Sequence, residues 1–275
     1  MDHYAVFGNP IGQSKSPWIH GQFAKQTDQA LEYIAQLVEL DAFEEQVHSF
    51  FASGGAGLNI TVPFKERAWA LADNLSDVAK LTGAVNTLYL NSAGKLCGDN
   101  TDGHGLLRDL TNNHGASLTN RSVLLLGAGG AIKGIVPALL AQRPASLSIA
   151  NRTVDKAKQI AKIYAEQTSI AVFAYNDLPK TPYDFVINGT SLGLTGGLPP
   201  IPVEIVSAHT WCYDMIYGQG NTVFQQWSAE QGAEKALDGL GMLVEQAAEA
   251  FKIWRKCEPE TAAVIQQLRQ MMAKP

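Results

Sequence analysis

The stretch Ser122-Val123-Leu124-Leu125-Leu126-Gly127-Ala128-Gly129-Gly130-Ala131 decides the fold. Its first five residues are a short apolar run of strand formers, which marks a parallel strand buried on both faces. The chain then turns through glycines and continues with Ile132, Ile135, Val136, Leu139 and Leu140, apolar positions at helical spacing. Glycines in that turn leave the first backbone N–H groups of the helix bare. A pyrophosphate can approach them, and the helix dipole adds partial positive charge at the same point. Glycines alone say little, but strand, glycine turn and helix in this order form the context a dinucleotide-binding crossover requires.

Cofactor choice is set about twenty residues further on, where an acid on the ribose 2'-hydroxyl selects NAD and an arginine near a 2'-phosphate selects NADP. Here the next strand ends in Asn151-Arg152-Thr153, with no carboxylate. A guanidinium grips a phosphate through two hydrogen bonds, and Lys156 and Lys158 on the following helix add positive potential. The residues therefore favour NADP. Thr153 also suits the helix N-cap, so one residue can serve both purposes.

The 275 residues are enough for two domains, and 46% hydrophobic against 17% charged residues describes a globular chain with a sizeable core. No apolar stretch approaches the roughly 20 residues of a membrane helix, and a net charge of -5 argues against a nucleic-acid surface. The opening Met1-Asp2-His3 leads directly into strand-like residues without a basic, apolar leader, which points to the cytoplasm. Cys97, Cys212 and Cys257 are too scattered for a disulfide framework, and neither they nor the histidines have metal-ligand spacing, so no metal is expected.

Along the first hundred residues strand and helix alternate: strands near 4–8, 31–39 and 56–61, helices near 17–28 and 42–52, then helical segments to about 81 and a hairpin over 84–98. The polar stretch Gly98-Asp99-Asn100-Thr101-Asp102-Gly103 suits a domain junction. Strands are expected at 122–126, 146–150, 170–174, 184–188, 211–214 and 235–237, with a glycine- and proline-rich loop from Gly189 to Pro202. The tail carries helical patterns at about 242–256 and 259–273, the second opening on Pro259.

Several segments resemble the shikimate dehydrogenase family. They are Gly8 to Pro17 with His20, Asn59-Ile60-Thr61-Val62-Pro63-Phe64-Lys65, Gly83-Ala84-Val85-Asn86-Thr87 and Gly98 to Gly103. Asn151-Arg152-Thr153, Asn188 to Ser191, Tyr213 to Tyr217 and Gly239 to Val244 with Gln246 extend the resemblance over almost the whole chain. It implies reversible NADP-linked reduction of 3-dehydroshikimate to shikimate, a step of chorismate and aromatic amino-acid biosynthesis. It also implies an α/β fold of two domains flanking an active-site cleft: a discontinuous substrate-binding domain of residues 1–101 plus 239–275, and a Rossmann-type NADP-binding domain of 102–238.

On the same resemblance Lys65 and Asp102 are the catalytic pair. Oxidising an alcohol removes a proton from the hydroxyl as hydride leaves carbon, and an amine can take or give that proton. Ser14 and Ser16 stand before a helix that opens on Pro17; local sequence makes Ser16 its cap, whereas the resemblance makes both serines ligands of the substrate carboxylate. Asn59, Thr61, Asn86, Tyr217 and Gln246 become candidates for the remaining polar groups of a polyol. The cofactor candidates are Gly127, Ala128, Gly129, Gly130, Ala131, Asn151, Arg152, Thr153, Lys156, Thr190, Met215 and Gly239, and Met215 and Met242 serve equally well as core. His20 fits helix packing as readily as a ligand role. Two departures stand out: Ile132 where the family usually carries a small residue, and Lys156 where an arginine often reinforces the phosphate site. The rivals are a quinate/shikimate dehydrogenase with relaxed substrate or cofactor choice, and a silent NADP-binding sensor that would not need Lys65. The only expected partner is a small molecule, in a monomer or homodimer without nucleic acid or membrane.

Overall fold

Strand β1 (Asp2–Gly8) alternates between two cores. Ala5 and Phe7 enter one with Val38, Phe43, Leu58 and Phe64, while Tyr4 and Val6 meet Ile11, Tyr33 and Trp254 on the opposite face. It is followed by α1 (Ser16–Gln26), β2 (Leu31–Leu37), α2 (Phe43–Ala52), β3 (Gly55–Ile60), α3 (Lys65–Leu71), β4 (Asn74–Leu75), α4 (Asp77–Thr82), β5 (Thr87–Leu90), β6 (Leu96–Asp99) and α5 (Asp102–Arg108). These strands form one mixed sheet in the order β2-β1-β3-β5-β6-β4, with β5 antiparallel to both β3 and β6. The expected hairpin is β5–β6, and its loop is closed by Asn91, whose Oδ1 accepts from the backbone of Ala93 and Lys95. Two-residue β4 was not expected from the sequence, because pairing with β6 rather than any local pattern makes it a strand.

The second sheet is entirely parallel. It comprises β7 (Ser122–Leu126), β8 (Ser146–Ala150), β9 (Ile170–Phe173), β10 (Phe185–Asn188), β11 (Trp211–Asp214) and β12 (Lys235–Asp238), ordered β12-β11-β10-β7-β8-β9. The order reverses beside β7, which is the topological switch point of a Rossmann sheet. Helices α6 (Gly130–Ala141), α7 (Val154–Ile163) and α8 (Val223–Glu230) connect these strands, and α9 (Leu240–Arg255) and α10 (Ala262–Met272) end the chain. The last helix begins after Pro259 rather than on it. Ile265 donates to the Thr261 carbonyl, so the first helical hydrogen bond starts two residues beyond the proline.

The computed structural model describes residues 1–273, which pack as two α/β units. One is Met1–Gly105 with Leu243–Gln266, and the other is Leu106–Met242 with the segment from Gln267 onward. Packing thus groups Asp102 to Gly105 with the first sheet and the final turns of α10 with the second. The cause of the latter is visible: Arg269 donates to both carboxylate oxygens of Asp238, at 2.7 and 2.9 Å. Among the described residues no helix is long and apolar enough to cross a membrane.

Candidate active site

Lys65 is placed by its predecessor. Phe64 is fully buried and stacks on Phe43, ring centroids 4.6 Å apart, and burial of such a ring is worth about 1.5–3 kcal/mol. The Lys65 carbonyl is then fixed by the Val85 N–H at 2.9 Å, and its Nζ donates to Asp102 Oδ2 at 2.5 Å. Asp102 opens α5, where the Asn100 side chain accepts from its backbone N–H at 3.1 Å. The carboxylate is 7% exposed and the lysine side chain 21%, so the pair is shielded but still reachable.

Asn86 ties this pair to the rest of the first unit. Its amide nitrogen lies 2.9 Å from Asp102 Oδ1, 2.9 Å from Thr101 Oγ1 and 3.3 Å from Gln246 Oε1. Thr87 Oγ1 donates to Asn86 Oδ1 at 2.8 Å, and Asn59 Nδ2 donates to the Asn86 carbonyl at 3.1 Å. Tyr33 completes the chain by donating to Asn59 Oδ1 at 2.7 Å. Thr61 follows β3 beside Gly8, where any Cβ would sit 2.4 Å from the Thr61 methyl, so glycine is required there. Lys65, Asp102, Asn59, Asn86 and Gln246 therefore form one connected polar network. Tyr217 belongs to the second unit, where burial raises its phenol pKa.

Ser16 does not cap α1. Lys15 occupies the cap position, Ser16 is already helical, and its backbone N–H donates to Ser14 Oγ at 3.3 Å. That leaves the buried Ser16 hydroxyl available to side-chain partners. His20 lies 1% exposed in an aromatic box, stacked on Tyr33 at 4.2 Å and 6° and flanked by Phe23, Phe251 and Trp254. Neither of its ring nitrogens has a hydrogen-bond partner among the described residues. Burial lowers its pKa to about 3, with the nearby Asn59 side chain offsetting part of the effect.

The second unit gathers its glycines at the switch point. Gly127 has φ +108, and a Cβ there would meet the Gly189 backbone at 3.3 Å. Gly129 and Gly130 face open space, and α6 starts from Gly129 with no side-chain cap, so its N–H groups remain available to phosphate oxygens. Ile132, which departs from the family pattern, packs over Gly189: a Cβ at 189 would lie 2.5 Å from Ile132 Cδ1. The Arg152 and Lys156 side chains make no hydrogen bond or ion pair among the described residues, and the Arg152 charge is felt by Tyr175, whose phenol is raised by burial and lowered by that guanidinium. The residues present thus fit an NADP-type dinucleotide. Lys158 sits in an exposed i,i+3 pair with Asp155 at 3.4 Å. Thr153 stands at the cap of α7 without a hydroxyl cap bond, and Asn151 Nδ2 donates to the Thr153 carbonyl at 2.8 Å.

The ends of β10 and β11 are held by buried Asp214, which accepts from Asn188 Nδ2 at 3.0 Å, Thr222 Oγ1 at 2.6 Å and the Ile216 N–H at 3.2 Å. Burial pushes its carboxyl pKa upward, and these donors pull the other way. Thr190 donates to Asn188 Oδ1 at 2.8 Å, and Gly239 lies so close to Met215 that a Cβ would sit 2.3 Å from the Met215 carbonyl oxygen. Sequence reasoning missed Thr87, Thr101 and Asp214 as parts of these networks, although all three stand inside the quoted family stretches. Tyr33 carries no such signal. A separate cavity of about 360 Å³, lined by Arg121, Asp184, His209 and Trp211 among others, contains none of the candidate residues.

Residues 6–88 match the model of the shikimate dehydrogenase substrate binding domain, 109–193 that of shikimate/quinate 5-dehydrogenase, and 239–269 that of the shikimate 5'-dehydrogenase C-terminal domain. A shikimate dehydrogenase (NADP(+)) from Alkalilimnicola ehrlichii is 55% identical over 268 residues, 98% of either chain. The chain belongs to the shikimate dehydrogenase family. Among solved structures, an Ael1 enzyme from Pseudomonas putida is 45% identical with TM-score 0.92, covering 100% of this chain and 99% of its own. A shikimate dehydrogenase from Thermus thermophilus, solved with NADP(H) and shikimate, is 28% identical with TM-score 0.86 over 98% of this chain and 99% of its own. The two-domain α/β fold read from the sequence is the fold of these shikimate dehydrogenases.

Proposed function

We propose that the chain is an NADP-dependent shikimate dehydrogenase that reversibly reduces 3-dehydroshikimate to shikimate, within chorismate and aromatic amino-acid biosynthesis. The observation that carries this reading is the 2.5 Å contact between Lys65 Nζ and Asp102, set in a network of side-chain amides. A polyol acid suits such a network, because each paired hydroxyl excludes analogues that lack it. NADP, which the residues of the second unit would hold, would supply the hydride acceptor for oxidation and, as NADPH, the hydride donor for reduction. Lys65 takes the hydroxyl proton during oxidation and gives it back during reduction, while Asp102 holds the amine in place. Ser14 and Ser16 receive the carboxylate, and Asn59, Thr61, Asn86, Tyr217 and Gln246 the remaining polar groups.

On the nucleotide side, Gly127 to Ala131 cradle the pyrophosphate, and Asn151, Arg152, Thr153 and Lys156 hold the 2'-phosphate. Thr190, Met215 and Gly239 border the nicotinamide. The substrate domain is assigned to 1–101 plus 239–275 and the nucleotide domain to 102–238. The enzyme works in the cytoplasm as a monomer or homodimer, which light scattering on the purified protein tests.

Initial rates at 340 nm with shikimate or quinate, each with NADP or NAD, test the reaction. Shikimate with NADP should be fastest. Faster quinate turnover would reject the substrate, and tight NADP binding without absorbance change would make the chain a sensor.

A further inference from the structure

Strand β2 lies at the edge of the first sheet, and Tyr33 is its one buried residue. A phenylalanine would anchor an edge strand equally well, and a buried hydroxyl is costly unless paired. The Tyr33 hydroxyl is paired: it donates to Asn59 Oδ1 at 2.7 Å, and the nearby Ser16 side chain offsets part of the rise that burial causes in its pKa. Its ring is locked from behind by the parallel imidazole of His20, at 4.2 Å. An asparagine amide has nearly the same shape at both ends, so its hydrogen bonds alone decide which end points where. For Asn59 the Asn86 carbonyl and Thr87 Oγ1 hold the nitrogen, at 3.1 and 3.3 Å, and Tyr33 is the donor that holds the oxygen.

We propose that Tyr33 is a positioning residue of the substrate site, its hydroxyl fixing the side-chain amide of Asn59. This rests on the reading of Asn59 as a substrate ligand. Asn59 lies on β3, and Tyr33 reaches it from β2. Without its hydroxyl, the buried Asn59 oxygen loses its donor and the amide reorients to regain one.

Steady-state kinetics of Tyr33→Phe, Asn59→Ala and the double variant test the idea, with each preparation referred to folded enzyme by NADP titration and melting. Tyr33→Phe keeps the ring and its stack on His20. It should raise KM for shikimate about tenfold, the scale of one orienting hydrogen bond, with kcat within about twofold and KM for NADP unchanged. A purely structural role would lower the melting temperature without moving KM. The double variant should be no worse than Asn59→Ala alone, because the two residues act as one unit. An unchanged shikimate KM in Tyr33→Phe beside an impaired Asn59→Ala would overturn the role of Tyr33 alone, as would additive effects in the double variant. A normal KM in Asn59→Ala would overturn both that role and the ligand assignment of Asn59.

Discussion

Lys65 by itself is an ordinary helix-opening lysine; Phe64 beneath it and Asp102 beside it place its amine, and the proposed acid–base role rests on that placement. Lys65→Ala should therefore lower kcat by roughly 10²–10⁴-fold, the usual share of a positioned acid–base group, and leave shikimate affinity by calorimetry nearly unchanged. Arg152→Ala should raise KM for NADP by roughly 10–100-fold, the worth of charge-assisted hydrogen bonds, and leave NAD use unaltered; an equal loss with both cofactors would refute the phosphate clamp. His20 sets an acid limit on stability. Its folded pKa, about 3, lies below the ordinary 6.5, so the unfolded chain takes up this proton first as pH falls. The contribution is whole above 6.5 and is lost as pH drops from there toward 3, amounting to about 2 kcal/mol by pH 5. Urea titrations at pH 7 and 5 should show this extra loss in the parent chain and not in His20→Phe. The sequence could single out Lys65, Asp102 and Arg152 because family motifs surround them. Tyr33 escaped notice because an aromatic in an alternating strand pattern announces packing, and its partner Asn59 lies 26 residues away along the chain.

Elements were easiest to read where a local pattern governs. The runs at 122–126 and 146–150 coincide with β7 and β8; β7 is apolar from Val123 to Leu126, and β8 is buried from Leu147 to Ala150 although Ser148 interrupts its apolar residues. Where distant contacts decide, local patterns reveal less. The turn Asp109–Asn113 is π-helical, and buried Asp109 there accepts from Tyr213 at 2.7 Å, more than a hundred residues on. The start of α10 and the strand character of β4 are settled in the same nonlocal manner. Glycines at element ends are likewise dictated from afar. Gly239→Ala would press a methyl against the Met215 carbonyl, and backbone cannot step aside as a side chain can. A loss of about 1–3 kcal/mol is expected, seen as a lower denaturation midpoint at unchanged slope.

For the whole molecule, two sheets with separate cores mean that, on the proposed reading, each ligand has its own domain to stabilise. NADP at a hundred times its Kd should stabilise the chain by about 2.7 kcal/mol. Thermal melting of Arg152→Ala at the same NADP concentration should show about half or more of that gain lost, while the gain from shikimate persists. The parallel sheet of the second unit was legible from its apolar runs and glycine turn, whereas the packing of Leu243–Gln266 with the first unit is encoded in no local pattern, and the resemblance, which assigned the whole of 239–275 there, does not separate out the residues from Gln267 that pack with the second. Among the described residues the side chains of Arg152 and Lys156 make no hydrogen bond or ion pair. With the proposed role at the 2'-phosphate, nucleotide preference should be open to rewriting at those two addresses by mutational libraries that would be ruinous if aimed at Asn86 or Asp102.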